Sequence, residues 1–211
     1  MTLNITGEGS RYVVIRRGLM GPALSEPSRM YIAGYNGETY IGGSQEWYPD
    51  RWRRASGCGP VAASNLIWYK TGQRGGIDAY KALMNEMFTF VTPGMQGVNT
   101  AKIFTDGLSR YGGQNGLDFR PKVLEVPARP CRRLGEDEVY TFISEGLQSD
   151  APVAFLNLSN GTLGNLENWH WVTILSLDTG EAEISDGGGT CRISLSEWFR
   201  TSLLGGVFIH L

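Results

Sequence analysis

Apolar residues at helical spacing predict four helices in the first 150 residues of the chain. Gly72 and Gly112 follow the first and third of these segments, where a glycine commonly ends a helix. Asp78 and Asn99 precede the second and third segments, and we expect them to act as N-caps. The predicted helices span residues 58–70, 79–90, 100–111 and 136–148.

Short runs of β-branched and aromatic residues follow the last of these helices and predict strands. Two earlier strands are predicted at 11–16 and 117–126, and Asn36-Gly37 predicts a tight turn in a hairpin over 30–41. The remaining predicted elements are strands at 152–158, 169–177, 181–186, 190–195 and 206–210, with a short helix at 196–203.

The order of these elements indicates an α+β fold, because helices come first and an antiparallel sheet follows. We expect one domain over residues 1–211, with residues 1–43 as an N-terminal β-hairpin extension of unknown role. The formal net charge of −2 argues against a nucleic acid or an anionic membrane as partner. The N-terminus lacks the pattern of a signal peptide, and no run approaches the ~18 apolar residues of a membrane span. A cytoplasmic location is therefore expected.

The three cysteines, Cys58, Cys131 and Cys191, are an odd number without the spacing of a disulfide framework. A zinc site built from them and His170 is disfavoured, because there is no Cys-x-x-Cys pair and no second histidine nearby. We therefore expect neither a metal nor a cofactor. Cys131 is interpreted as incidental, Cys191 as packed on a strand, and His210 as a strand or chain-end residue.

Cys58 lies between two glycines at the start of the first predicted helix. Pro60 suits the first turn of a helix, where its missing N–H would have no partner. The free N–H groups and the positive end of the helix dipole stabilise an anion such as a thiolate. The flanking glycines are expected to keep the sulfur approachable by another molecule. The alternative is a structural, buried cysteine in a glycine-rich turn.

A histidine and a carboxylate follow on two strands that we expect to pair. His170 opens the strand at 169–177, and Asp186 closes the next one. A two-residue loop at 179–180 would place them on opposite faces of the sheet. A three-residue loop at 178–180, with Gly180 in the left-handed conformation, would place Asp186 opposite Val172 on the face of His170. The sequence Asp-Thr-Gly favours this second register.

A thiol, an imidazole and a carboxylate in this arrangement are the parts of a nucleophilic site. His170 would take the proton of Cys58, Asp186 would hold the imidazole in the useful tautomer, and the thiolate would attack an acyl carbon. Trp169 and Trp171 flank the base, and one of them could shield it from water while the other packs. The alternative is that both simply pack in the core.

Four motifs lie around these residues: Gly57-Cys-Gly-Pro, Ala151-Pro-Val-Ala-Phe-Leu, His170-Trp-Val-Thr-Ile and Ile184-Ser-Asp-Gly-Gly. In combination these motifs resemble papain-like cysteine peptidases. They are most similar to the bacterial group related to the bacteriocin-leader-processing, or double-glycine, peptidases. The resemblance covers roughly residues 44–210 and implies a papain-like fold, with the cysteine at a helix tip packed against an antiparallel sheet. It also implies Cys58, His170 and Asp186 as the catalytic triad.

The oxyanion hole departs from the pattern of these peptidases. They usually have a glutamine about six residues before the cysteine, where this chain has Trp52. Gln45 lies 13 residues before Cys58 and could join the Cys58 N–H in an oxyanion hole if residues 46–57 loop out. Residues 42–56 show no regular spacing, so we expect an irregular segment there, and Gln45 could equally be a surface loop residue.

The leading hypothesis is a thiol hydrolase that cleaves a peptide or related amide bond in a peptide or protein substrate. One alternative is an acyltransferase that uses the same Cys-His-Asp site. Another is a catalytically silent papain-like binding domain. The sequence leaves the oligomeric state open.

Overall fold

The computed structural model describes residues 21–131 and 134–211. The strand predicted at 11–16 lies outside the described residues. The helices are α1 Arg51–Ser56, α2 Cys58–Thr71, α3 Ile77–Phe90, α4 Ala101–Gln114, α5 Glu136–Gln148 and α6 Leu195–Thr201, with 3-10 helices at Pro27–Met30 and Gln45–Trp47. The strands are β1 Tyr31–Ala33, β2 Thr39–Ile41, β3 Lys122–Val126, β4 Val153–Asn157, β5 His170–Asp178, β6 Glu181–Asp186, β7 Gly189–Ser194 and β8 Gly206–His210.

Six of the strands form one antiparallel sheet in the order β3-β8-β4-β5-β6-β7, and β1 pairs with β2 in a separate hairpin. Alternate residues of the central strands face two different hydrophobic cores. On β4, Leu156 belongs to the core under α2 and Phe155 to the core under α5. Because both faces are covered, β4 and β8 are buried along their whole length. The predicted α+β class is confirmed, with the cysteine at a helix N-terminus on a C-terminal sheet.

The helix that begins at Cys58 ends as its sequence predicts. Gly72 follows Thr71 with φ 65°, and its N–H donates to the carbonyl of Tyr69. This left-handed conformation is readily adopted by glycine, so Gly72 stops the helix. Helix α5 has the predicted bounds, and its first turn carries Glu136, among other acidic residues, as expected at the positive end of a helix dipole.

Both predicted N-caps are wrong by a small shift. Gly76 precedes α3, so Asp78 lies inside the first helical turn. The cap of α4 is Thr100, whose hydroxyl accepts a hydrogen bond from the Ile103 N–H at 3.3 Å, and Asn99 lies one residue before it. Neighbouring Asn and Thr are both good caps, so local sequence does not choose between them.

The segment expected to be irregular contains helix α1, directly before Gly57. Asp50 caps this helix by accepting a hydrogen bond from the Arg53 N–H at 2.9 Å. The helix is six residues long and mostly polar, so it has no apolar stripe that could predict it.

The loop of the β5–β6 hairpin differs from the predicted one, but the strand register beside His170 is the predicted one. Asp178 pairs with Glu181, so the loop is the two-residue Thr179-Gly180, with φ of 46° and 88°. A β-bulge at Leu175 then shifts the pairing by one residue, so that Thr173 lies opposite Ser185. The three-residue loop is therefore wrong, and the bulge supplies the register that it was meant to supply.

Candidate active site

Cys58 is the first residue of α2 and is half-buried. At this position the N–H groups of the first turn have no intrahelical acceptor and point out of the N-terminal end of the helix, where the Cys58 thiol lies. The neighbouring glycines are needed for packing within the protein. A Cβ on Gly57 would lie 2.5 Å from the Arg53 carbonyl oxygen, and one on Gly59 would lie 2.7 Å from Val98. Packing within the protein therefore by itself requires glycine at both positions.

His170 and Asp186 meet at the end of the sheet nearest to Cys58. His170 Nε2 lies 2.9 Å from Asp186 Oδ1, and the histidine is only 7% exposed. Continuation of the Thr173–Ser185 pairing places Asp186 opposite Val172, as the predicted register requires. Since Nε2 is taken by Asp186, Nδ1 is the ring nitrogen left for Cys58.

The environment of His170 favours its protonated form. Burial lowers the pKa, but the hydrogen bonds to Asp186 and to Cys58, together with the charges of these two groups, raise it from 6.5 to about 10. The two partners therefore outweigh the cost of desolvation. The arrangement suits an imidazolium held between a carboxylate and a thiolate.

A cavity of about 200 Å³ brings the sequence-predicted residues together. Its wall includes Gln45, Cys58, His170 and Asp186, which come from four different elements. Asn65, which the sequence analysis did not single out, lies in the same wall. An Asn in a predicted amphipathic helix is an ordinary surface residue, so nothing local marked it.

Gln45 begins a short 3-10 helix whose preceding residue, Ser44, accepts a hydrogen bond from the Glu46 N–H at 3.2 Å. The residues between Gln45 and Cys58 include the rest of this 3-10 helix and all of α1. Gln45 Oε1 is buried and has no hydrogen-bond partner within the described part of the chain. A buried amide oxygen without a partner is uncommon and calls for an explanation, for example a ligand. Trp52, at the usual glutamine spacing, does not line this cavity.

A second cavity of about 420 Å³ lies on another side of Cys58. Three exposed apolar side chains, Trp52, Met95 and Trp169, contribute to its wall, and of its lining residues within 21–131 and 134–211 only Cys58 can ionise. Trp169 directly precedes His170 and has φ 56°, a conformation that is strained for an aromatic residue. Large apolar side chains gathered beside a reactive group are typical of a binding surface.

The two tryptophans beside His170 have different environments. Trp171 is buried, stacks on Phe104 with ring centroids 4.3 Å apart, and donates its indole N–H to the Val98 carbonyl at 2.6 Å. It thereby fixes the 95–99 loop to the strand that carries His170. Trp169 is 55% exposed and faces the second cavity.

The other candidates lie outside both cavities. Cys131 and Cys191 are exposed. The expectation that Cys191 packs is wrong, because β7 is the edge strand of the sheet. His210 is a buried strand residue, as predicted. Among residues 21–131 and 134–211 no group of three His, Cys, Asp or Glu side chains could hold a metal ion. No helix in this part of the chain is long and apolar enough to cross a membrane.

Comparison with solved structures finds peptidase domains. One is the peptidase domain of Streptococcus ComA, a bifunctional ABC transporter involved in a quorum-sensing pathway. It is 13% identical with a TM-score of 0.43, over 74% of this chain and 91% of that one. Another is a double glycine motif protease from an AMS/PCAT transporter in complex with the leader peptide, 14% identical with a TM-score of 0.41, over 72% and 83%. These are proteins of the kind that the motifs of this chain resemble. No family model matches the chain, and no curated protein matches it.

Proposed function

We propose that the protein is a cysteine-dependent hydrolase that cleaves a peptide or related amide bond through a thioacyl-enzyme. The observation that carries the proposal is the state of His170. It is buried, bonded to Asp186, and its pKa is raised to about 10 by Asp186 and Cys58. A histidine with a purely structural role would not need both a carboxylate and a thiol as partners.

The mechanism begins with transfer of the Cys58 proton to His170, which gives a thiolate and an imidazolium. The thiolate attacks the carbonyl carbon of the scissile amide, and negative charge develops on the carbonyl oxygen. In this mechanism the Cys58 N–H and the Gln45 side-chain amide donate hydrogen bonds to that oxygen. The proposal is supported by the presence of both residues in the wall of one cavity. A buried Gln45 amide without a fixed partner for its oxygen is free to turn its N–H groups to the substrate.

Breakdown of the tetrahedral intermediate completes the first half of the reaction. The carbon–nitrogen bond breaks as His170 donates its proton to the leaving amine, which leaves the acyl group on Cys58 as a thioester. His170 then takes a proton from water, the hydroxide attacks the thioester carbon, and the thiolate departs. Asp186 keeps the imidazole oriented in both halves.

The second cavity supports a peptide substrate with a bulky apolar side chain close to the scissile bond. Its wall combines Trp52, Met95 and Trp169, and it is continuous with Cys58. Replacement of Met95 by Glu should lower kcat/KM for such peptides about 10-fold, since a charge would face the apolar side chain. Leu203→Glu is a matched control, because Leu203 is an exposed apolar residue outside this cavity. Equal cleavage by both variants would contradict this assignment.

The test of the thiol–imidazole pair is the rate of alkylation by iodoacetamide as a function of pH. Cys131 and Cys191 are exposed, so both are first replaced by Ser to leave Cys58 as the reacting thiol. We expect fast alkylation at pH 6 in this background. In His170→Ala the alkylation rate should be low at pH 6 and should increase only near pH ~8.5, the ordinary pKa of a thiol. Identical pH profiles with and without His170 would overturn the proposal.

A further inference from the structure

A buried polar network lies where residues 41–43 cross between helix α2 and the β5–β6 hairpin. Its centre is Asn65, which is 2% exposed and lies two turns along α2 from Cys58. Burial of a side-chain amide is costly unless its groups are hydrogen-bonded, and an apolar residue would fill the same place without that cost. An asparagine at this position therefore needs an explanation beyond packing.

The Asn65 amide joins three parts of the fold. Its Oδ1 accepts hydrogen bonds from the Gly43 N–H at 3.0 Å and from the Tyr80 hydroxyl of α3. Its Nδ2 donates to Thr173 Oγ1 of β5 at 3.0 Å. The two donors that meet Oδ1 settle which end of the amide is oxygen. Asn65 thus links the helix of Cys58 and the strand of His170 to the segment that leads to Gln45.

The rest of this segment, residues 41–43, is also bonded to the site. The Ile41 N–H donates to the Gly188 carbonyl at 2.9 Å, and the Ile41 carbonyl accepts from Ser185 Oγ at 2.7 Å. Ser185 directly precedes Asp186. The Gly42 N–H donates to the Met30 carbonyl at 2.9 Å. Residues 41–43 are therefore attached by hydrogen bonds to β6, to the turn after it and to α2.

There is no room for side chains where the segment crosses. A Cβ on Gly42 would lie 2.2 Å from Ser185 Oγ, and one on Gly43 would lie 2.3 Å from the Tyr80 ring. Gly42 also has φ 70°, which favours glycine. The close approach lets backbone and amide groups bond directly, and the chain then continues through Ser44 to Gln45 with little freedom.

We infer that Asn65 is a positioning residue that holds Gln45 in place relative to Cys58. The inference rests on the proposed function, since it assigns Gln45 to the oxyanion hole. It also gives a role to the end of the N-terminal hairpin extension. Residues 41–43 are hydrogen-bonded to the sheet and to α2, and they therefore fix where Gln45 lies relative to both. Loss of the Asn65 bonds lets the oxyanion donor move, whereas the start of α2 at Cys58 and the hydrogen bond between His170 and Asp186 do not involve Asn65.

The test compares two reactions of Cys58 that differ in their need for an oxyanion hole. Iodoacetamide alkylates Cys58: the thiolate attacks the saturated CH2 carbon, iodide leaves, and no oxyanion develops. p-Nitrophenyl acetate is attacked at its carbonyl, the bond to p-nitrophenolate breaks, a thioester forms, and water later releases acetate. Both rates are measured in the background that lacks Cys131 and Cys191, and the ratio of acylation to alkylation reports on the oxyanion hole.

In Asn65→Leu we expect the acylation rate to fall about 10- to 100-fold while alkylation keeps its wild-type pH profile. Gln45→Ala should lower acylation at least as much. The double variant should be no slower than Gln45→Ala alone, because Asn65 acts through Gln45. Thr173→Val, which removes the acceptor of Asn65 Nδ2, should also lower the ratio, and Thr173→Ser, which retains it, should restore the ratio.

Ser64→Ala is the control for a merely structural effect. Ser64 is buried on the same helix and donates to the Pro60 carbonyl, away from residues 41–43. It should lower the melting temperature without changing the ratio. If Asn65→Leu does not fold, Thr173→Val provides the same comparison.

A wild-type ratio in Asn65→Leu or in folded Thr173→Val, or additive losses in the double variant, would overturn the inference. Failure of the proposed function looks different. In that case Cys58 of the wild type is not acylated, and its alkylation does not depend on His170.

Discussion

Replacement of Asp186 by Asn tests the electrostatics of the site most directly. The substitution keeps the size of the side chain that lies 2.9 Å from His170 Nε2 and removes its charge. Burial, which lowers the pKa of His170, is then opposed mainly by Cys58. An opposite charge at this distance contributes ~1–3 pKa units. We expect the pKa of His170 to fall from about 10 by that amount, which is ~1.4–4 kcal/mol of preference for the imidazolium.

The assay is an NMR titration of protein labelled at histidine. The chain has two histidines, so the spectrum has an internal control. His210 is buried far from the site on β8, and burial lowers its pKa. Asp186→Asn should leave the His210 titration unchanged. A wild-type His170 that titrates near 6.5, or the same His170 pKa in both proteins, would refute the electrostatic reasoning.

The same pKa shift predicts a pH dependence of stability. The folded-state pKa of His170 lies above the ordinary 6.5 of the unfolded chain, so its stabilising contribution is fully present below pH 6.5. It is lost as the pH rises through about 10. A rise from 6.5 to about 10 corresponds to about 5 kcal/mol. Urea unfolding should therefore show a large loss of stability in Asp186→Asn at pH 6 and a small one above pH 10.

Three further predictions concern residues other than His170 and Asp186. Gly59→Ala should destabilise the protein by ~1–3 kcal/mol, because the new Cβ would lie 2.7 Å from Val98. Gly113→Ala should stabilise it by ~0.5–1 kcal/mol, because Gly113 lies on α4 with open space around it. A thermal melt that ranks the two variants otherwise would contradict this. Thr179→Asn should add about 1 kcal/mol in urea unfolding, because Thr179 has φ 46° and Asn tolerates that conformation better, and a loss of stability would argue against it. Burial lowers the pKa of His210, so its contribution to folding stability is present above pH 6.5 and is lost as the pH falls below that value. His210→Phe should therefore lose less stability than wild type between pH 7.5 and pH 5, and equal losses would disprove this.

Local signals in the sequence were enough for much of the fold. Pro60 and Gly72 define the two ends of α2, and each acts within a few residues, through a missing N–H in one case and a left-handed φ in the other. The α+β class and the position of Cys58 at a helix N-terminus follow from such signals. Their limit shows at α4, where Asn99 and Thr100 are both suitable caps and packing selects the second.

The β5–β6 hairpin shows how a register can be predicted correctly through a wrong loop. The sequence Asp-Thr-Gly allows two turns, and the protein adopts the two-residue one. The compensating bulge at Leu175 is bonded to a distant part of the chain, since the Leu175 carbonyl accepts from the Leu24 N–H at 3.1 Å. No residue near the hairpin encodes that contact.

The sequence by itself determined which chemical groups are available and which elements carry them: a thiol at a helix start, an imidazole at a strand start and a carboxylate at a strand end. Only the tertiary structure decided that Gln45 lines the cavity of Cys58 and that Asn65 bonds the segment leading to it. Local patterns report the conformation of neighbouring residues. The distance between side chains of separate elements depends on how those elements pack, and that is a property of the whole fold.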